Sequence, residues 1–206
     1  KGQLLEEGIN EGGAFCSWMA AATSYSSNNL TMIPFYIYYS MFGYQRVGDF
    51  VWAAGDMQAR GFILGATAGK TTLAGEGLQH QDGHNLLFFS VVPNCIAYDP
   101  CFSYELTVII QDGLRRMIEN QENVFYYLTL MNENYPHPAL PTASQEGILK
   151  GMYLLAENKP SKRHVQLLGS GTILNEVIAA AELLKTDFAV TADIWSVTSF
   201  SELRRE

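Results

Sequence analysis

Two histidines, His80 and His84, lie among Glu76, Gln81 and Asp82 in the stretch A-G-E-G-L-Q-H-Q-D-G-H-N from Ala74 to Asn85. Imidazole and carboxyl groups gathered this closely can move protons, orient an anionic substrate or bind a metal. Gly75, Gly77 and Gly83 interrupt any helix or strand here. A polar loop presented by apolar elements is expected, which is how a rigid scaffold carries a site. The same letters also suit an ordinary polar surface turn. His80 and His84 have the spacing of a helical zinc pair, but that helix would have to run through Asp82-Gly83. Gln81 also stands where a metalloprotease carries its general-base glutamate. No metal site is expected among these residues.

Two further motifs fail on inspection. G-A-T-A-G-K-T from Gly65 to Thr71 has one residue too few between its glycines for a phosphate-binding loop, and Gly75 and Gly77 oppose the helix that must follow. Gly169-Ser170-Gly171 follows an apolar run, but Leu174 occupies the place of the third glycine of a dinucleotide fingerprint.

The elements that position the polar loop are legible as short apolar strands alternating with helices. Strands are expected at 32–39, 61–66, 94–98 and 123–131, and helices at 14–26, 46–60 and 103–120, with a turn at 41–45. This alternation predicts an α/β fold, a parallel sheet with helices on both faces. Ligands of such sheets sit beyond the C-terminal strand ends, so the loops at 39–45, 69–84 and 131–135 should share one edge. Tyr135 to Arg163 holds four of the seven prolines and reads as a linker with a short structured segment near 147–155. From His164, a strand, a tight turn, a helix over 172–184 and a strand over 190–197 start a second α/β unit.

Composition excludes several classes of function. A net charge of −8 and a pI near 5.0 argue against nucleic acid as a partner, because phosphates need a basic face. No apolar run reaches the roughly 18 residues of a membrane span, and no signal peptide is visible. Three cysteines argue against a disulfide framework and for a reducing compartment. The sequon Asn29-Leu30-Thr31 then reads as chance. The first residue, Lys1, points to a piece of a longer protein.

Five runs carry a family resemblance: L-L-E-E-G-I-N-E (Leu4 to Glu11), I-P-F-Y-I-Y-Y-S-M-F-G (Ile33 to Gly43), G-E-G-L-Q-H-Q-D-G-H (Gly75 to His84), N-E-N-Y (Asn132 to Tyr135) and V-Q-L-L-G-S-G (Val165 to Gly171). With these the chain resembles the pyruvate dehydrogenase first component of the homodimeric bacterial type, a thiamine diphosphate family of the transketolase superfamily. The resemblance implies that residues 1–135 are most of the thiamine diphosphate-binding pyrimidine domain, without its first strand. It makes 136–163 a linker and 164–206 the start of a C-terminal transketolase-like domain. It implies thiamine diphosphate as cofactor, with Mg²⁺ held by a domain outside this chain. The family's Gly-Asp-Gly metal motif is absent, since Gly48-Asp49-Phe50 and Gly55-Asp56-Met57 fail at the third residue.

The resemblance also assigns roles. Glu11 would hydrogen-bond the pyrimidine ring nitrogen and shuttle a proton there, from an apolar site where desolvation eases proton sharing. Ile9 would support the bent cofactor, Phe42 would stack on the pyrimidine, and Tyr39 would line the wall. Glu76 and His80 would face the reacting carbon, His80 orienting the substrate carboxylate and passing protons. His84 is expected to make a structural hydrogen bond. Gln81 stands where the family has an acid, and Lys70 where it has arginine. The implied partners are pyruvate, the lipoyl domain of a dihydrolipoamide acetyltransferase and a second copy of the full-length enzyme, in a bacterial cytoplasm. Two other readings stay open: a non-catalytic folded fragment or assembly module of that enzyme, and another transketolase-superfamily enzyme with a different substrate.

Overall fold

A computed structural model describes residues 3–66, 68 and 78–205. Strands β1 (Phe35–Tyr39), β2 (Phe62–Ala66), β3 (Cys95–Tyr98) and β4 (Phe125–Thr129) form one sheet in the order β1-β2-β4-β3. Every pairing is parallel, so the four C-terminal strand ends lie on one edge. β3 and β4 are buried throughout, and β2 is buried up to Gly65. Near-continuous apolar runs of this kind mark strands covered on both faces. β1, on the edge, alternates instead: Tyr36 and Tyr38 point inward while Phe35 and Ile37 are exposed.

One face of the sheet meets α1 (Glu11–Ala22), α3 (Ser40–Asp56) and α4 (Asn85–Phe89). Phe15, Trp18, Val47, Val51 and Phe89 of these helices pack on Tyr36, Tyr38, Ile63, Ala97 and Tyr127. The other face meets α5 (Ser103–Leu114) and the π-turn Arg115–Glu119, whose Val108, Ile109 and Met117 pack on Phe62, Leu64, Ile96, Tyr98, Tyr126 and Leu128. The sequence expectation of a parallel α/β layer thus holds, with three local differences.

α1 starts at Glu11, earlier than expected, because the Asn10 side chain accepts the Gly13 N–H at 3.1 Å and caps it. It stops at Thr23, whose hydroxyl bonds back to Met19 O at 2.9 Å, and the short α2 (Ser24–Ser27) follows. α3 begins directly after β1, where a turn at 41–45 was expected. Gly43 reads as a turn residue in the sequence, but here it is helical, and a Cβ at this position would run into the Tyr38 ring. Last, the 136–163 stretch holds α6 (Gln145–Lys150) and β5 (Met152–Ala156), so its structured segment is more than a connection. β5 pairs antiparallel with β7 (Val190–Val197), which pairs parallel with β6 (Arg163–Gly169). The second sheet therefore has the order β5-β7-β6 and recruits a strand from the expected linker. α7 (Ile173–Phe188) covers one of its faces through Leu174 and Val177 against Ile194, and α8 (Phe200–Arg205) follows β7.

Two carboxylates join the units. Glu105, 0% exposed, accepts the Cys101 and Phe102 N–H groups at 2.6 and 3.0 Å at the start of α5. Its other oxygen accepts the Tyr153 hydroxyl at 2.8 Å and the Ser196 hydroxyl at 2.6 Å, from β5 and β7. Asp99, at the end of β3, accepts Thr129 at 2.6 Å and Ser170 at 2.8 Å. A buried carboxylate with this many donors is stable only while each donor stays in place. Glu105→Gln replaces an acceptor oxygen by an NH₂ group facing existing donors. It should lower the stability of the chain by about 1–3 kcal/mol, read as a shift of the urea midpoint. An unchanged midpoint would show that this carboxylate does not carry the junction.

Candidate functional site

Tyr39 ends β1, and Phe42 sits in the first turn of α3. The strand-to-helix corner therefore delivers both rings to the C-terminal edge of the sheet, 5.6 Å apart between centroids. His80 closes the 3₁₀ turn Leu78–His80 and reaches the same corner. Its Nδ1 shares a hydrogen bond with the Tyr39 hydroxyl at 2.8 Å. Its ring meets Phe42 edge-on, with 6.1 Å between centroids.

Glu11 enters from α1, as its first residue. Its carboxylate pairs with the Arg46 guanidinium, which in turn lies over the Phe42 ring, 5.3 Å from the centroid. Glu11, Arg46, Phe42, His80 and Tyr39 thus form one connected group. The Glu11 backbone N–H and then Arg46 hold this carboxyl below the usual carboxylate range, more than offsetting partial burial. The dry apolar surroundings expected for Glu11 are not what the structure shows. The side chain is 24% exposed and ion-paired, because a cation from α3 reaches it. Ile9, two residues earlier, is 98% exposed, an apolar side chain with no cover from the described residues.

Glu76, Lys70, Gly75 and Gly77 lie outside the described residues. Past His80, Asp82 is buried and structural. One of its oxygens accepts the His84 and Asn85 N–H groups at 3.1 and 3.2 Å, and the other accepts the Asn85 side chain at 2.9 Å. This fastens the loop to the start of α4. Asn85 also donates to Ser40 O, which ties the loop to the β1–α3 corner. His84 is hydrogen-bonded to Gln45 at 3.0 Å and has Asp82 at 3.6 Å, in keeping with a structural role. No helix passes through 80–84, so the zinc-pair spacing has no helical face to act on.

Arg46 is the residue that sequence reasoning missed. Its signal was the i, i+4 spacing from Phe42, which puts the two side chains on one helix face. That spacing has meaning only once α3 starts at Ser40.

The group can accept a flat, basic, amino-bearing heterocycle. Phe42 offers a ring face, Glu11 an acceptor for a ring N–H, and Ile9 an apolar support, while Tyr39 and His80 form a polar wall. This donor and acceptor set fits the pyrimidine half of thiamine diphosphate.

The chain is similar to known proteins over its whole length. Residues 1–138 match the family model of the pyruvate dehydrogenase E1 component middle domain, and residues 151–206 that of the transketolase-like C-terminal domain. The chain is 64% identical over 207 residues to a pyruvate dehydrogenase E1 component of Pseudomonas aeruginosa, covering 100% of this chain and 24% of that protein. It is 63% identical over 207 residues to that of Escherichia coli strain K12, covering 100% and 23%. It therefore spans about a quarter of the length of these relatives. Among solved structures, a transketolase from Campylobacter jejuni superposes with a TM-score of 0.67 at 19% identity, over 91% of this chain and 28% of that one. A transketolase variant from Pichia stipitis gives 0.64 at 17%, over 84% and 24%. At these identities the structural likeness shows the fold alone.

The Tyr39–His80 bond makes a prediction within this chain. Tyr39→Phe removes the group that fixes Nδ1, so the imidazole ¹⁵N resonances of His80 should move toward a different tautomer balance. Resonances that stay in place would show that the hydroxyl does not set the ring.

Proposed function

Given that this chain belongs to the pyruvate dehydrogenase E1 component family, we propose that it supplies the pyrimidine side of a thiamine diphosphate site that decarboxylates pyruvate. The observation that carries this reading is the joining of Glu11, Phe42, Tyr39 and His80 at one corner of a parallel sheet. When bound, thiamine diphosphate supplies a carbon nucleophile that adds to the 2-oxo acid and takes up the electrons freed as CO₂ leaves.

The chain's own residues do the rest. Glu11 holds a proton at the pyrimidine ring nitrogen and takes it back, so that the exocyclic amino group can act as a base. Phe42 stacks on the ring, and Ile9, exposed two residues before Glu11, supports the cofactor. His80, oriented by Tyr39, holds the pyruvate carboxylate and passes protons, a task the resemblance shares out between His80 and Glu76. Mg²⁺ and the diphosphate are held by a domain beyond this chain. The two-carbon unit passes to the lipoyl domain of a dihydrolipoamide acetyltransferase, and the working enzyme is a homodimer.

For the isolated chain a second reading has its own support. It spans about a quarter of its relatives and carries one side of the cofactor, which favours a folded module without activity. Calorimetry of this chain with thiamine diphosphate and Mg²⁺ should give no tight binding; tight binding would overturn the module reading. In the full-length enzyme, Glu11→Gln should lower pyruvate-dependent ferricyanide reduction by roughly 10²–10⁴-fold, and unchanged turnover would remove Glu11 from the chemistry. His80→Ala should impair decarboxylation or acetyl transfer more than cofactor affinity. The reverse pattern would make it a binding residue.

A further inference from the structure

Beneath the β1–α3 corner lie four buried side-chain oxygens with no hydrogen-bond partner among the described residues. They are the hydroxyls of Tyr38 in β1, Ser40 at the start of α3 and Tyr127 in β4, and Oδ1 of Asn85 at the start of α4. Tyr38 is 6% exposed and the other three residues 0%. Buried oxygens left this way are costly.

The four belong to one small region. The Asn85 amide nitrogen is spent on Ser40 O and on Asp82 Oδ2, which fixes the orientation of the amide and leaves Oδ1 as an acceptor in need of a donor. A Cβ on Gly65 would stand 2.3 Å from the Tyr127 hydroxyl and 3.1 Å from Ser40 Cβ, so this glycine leaves open the space that both of them border. The Tyr38 and Tyr127 rings stack with 6.4 Å between centroids, and their hydroxyls influence each other without an ordinary hydrogen bond between them. Burial above all, with the Asp82 carboxylate nearby, pushes both phenols well above their usual range, so both keep their protons and act as donors. A water molecule accepts two hydrogen bonds and donates two. It can take the two phenol protons, give one of its own to Asn85 Oδ1 and the other to Ser40 Oγ. One molecule then satisfies all four oxygens. A monovalent cation fits less well, because it uses only lone pairs and leaves the hydroxyl protons without an acceptor.

We propose that one internal water molecule is bound here, bridging Tyr38, Ser40, Asn85 and Tyr127 and so tying β1, α3, α4 and β4 together under the site. It holds the corner from below, since Ser40 follows Tyr39 directly and Asn85 anchors the loop that carries His80. The inference does not depend on which cofactor the corner takes.

The test is a crystal structure of the full-length enzyme at a resolution that shows ordered water, together with two variants. The expected result is an oxygen-sized density peak about 2.5–3.2 Å from at least three of the four atoms. No peak there, with the side chains paired directly to one another, would overturn the proposal. A peak that exchanges for thallium, seen by its anomalous scattering, would overturn it in favour of a monovalent cation. Tyr127→Phe keeps the ring that stacks on Phe89 at 3.9 Å and removes only the hydroxyl. Losing a bond to a bound water should lower the enzyme's melting temperature, whereas deleting an oxygen that has no partner should leave it unchanged or raise it, so the sign decides. Tyr38→Phe should act in the same direction, and the two losses should not add, because one water serves both hydroxyls. Strict additivity would rule out a shared site.

Discussion

Strand β1 passes into helix α3 without an intervening residue, Tyr39 ending one and Ser40 beginning the other. The rest of the site depends on that junction. A flexible loop here would leave Tyr39 and Phe42 free to wander. A direct corner fixes both by the geometry of the strand and the helix, and Arg46 follows one turn later. The junction in turn depends on Gly43, since a larger residue would collide with the Tyr38 ring and push α3 off the sheet. The polar loop after β2 is fastened to the same corner by Asn85 on Ser40 O and by Asp82 at the start of α4. His80 therefore inherits its position from the sheet edge, through hydrogen bonds that are mostly buried.

The two units meet through apolar contacts, such as Cys101 and Phe102 with Leu174 and Ile194, and through a set of buried polar groups. Glu105, in α5, receives donors from the residues just before that helix, from β5 and from β7. Asp99 receives one from β4 and one from the turn after β6. Asp99 N–H donates to Thr198 O at 2.7 Å, and the Ser199 hydroxyl donates to Ala97 O at 2.6 Å. Directional bonds of this kind specify one relative placement, whereas an apolar seam of equal size would tolerate sliding. Gly171 belongs to this seam. Its φ of +53° and the approach of Asp99 leave no room for a side chain.

Much of this was legible in the letters. β7 has the expected limits, and β2 and β4 lie within theirs, because runs such as F-I-L-G-A and F-Y-Y-L-T have no other stable place than a covered strand. The misread positions are those where a tertiary contact overrode a local preference. Gly43 breaks helices in isolation, but here the Tyr38 ring requires it. Glu11-Gly12-Gly13 is a poor helix start by propensity, yet Asn10 caps it. β5 lies in proline-rich surroundings and has meaning only opposite β7, which is distant in sequence. At the site, Tyr39, Phe42 and His80 could be anticipated as a group from the resemblance. Arg46 could not, because its relation to Glu11 joins two helices whose starts were both placed too late.

The electrostatics of the corner explain why a site can be well assembled and still not poised for proton transfer. A carboxylate shares a proton readily where water and counter-charges are kept away. Glu11 has a guanidinium within ion-pairing reach, a counter-charge that works against sharing, and Ile9, two residues before it, stands exposed. An isoleucine gains roughly 1.5–3 kcal/mol on being covered, so a surface laid over the exposed Ile9 would be favoured on hydrophobic grounds alone.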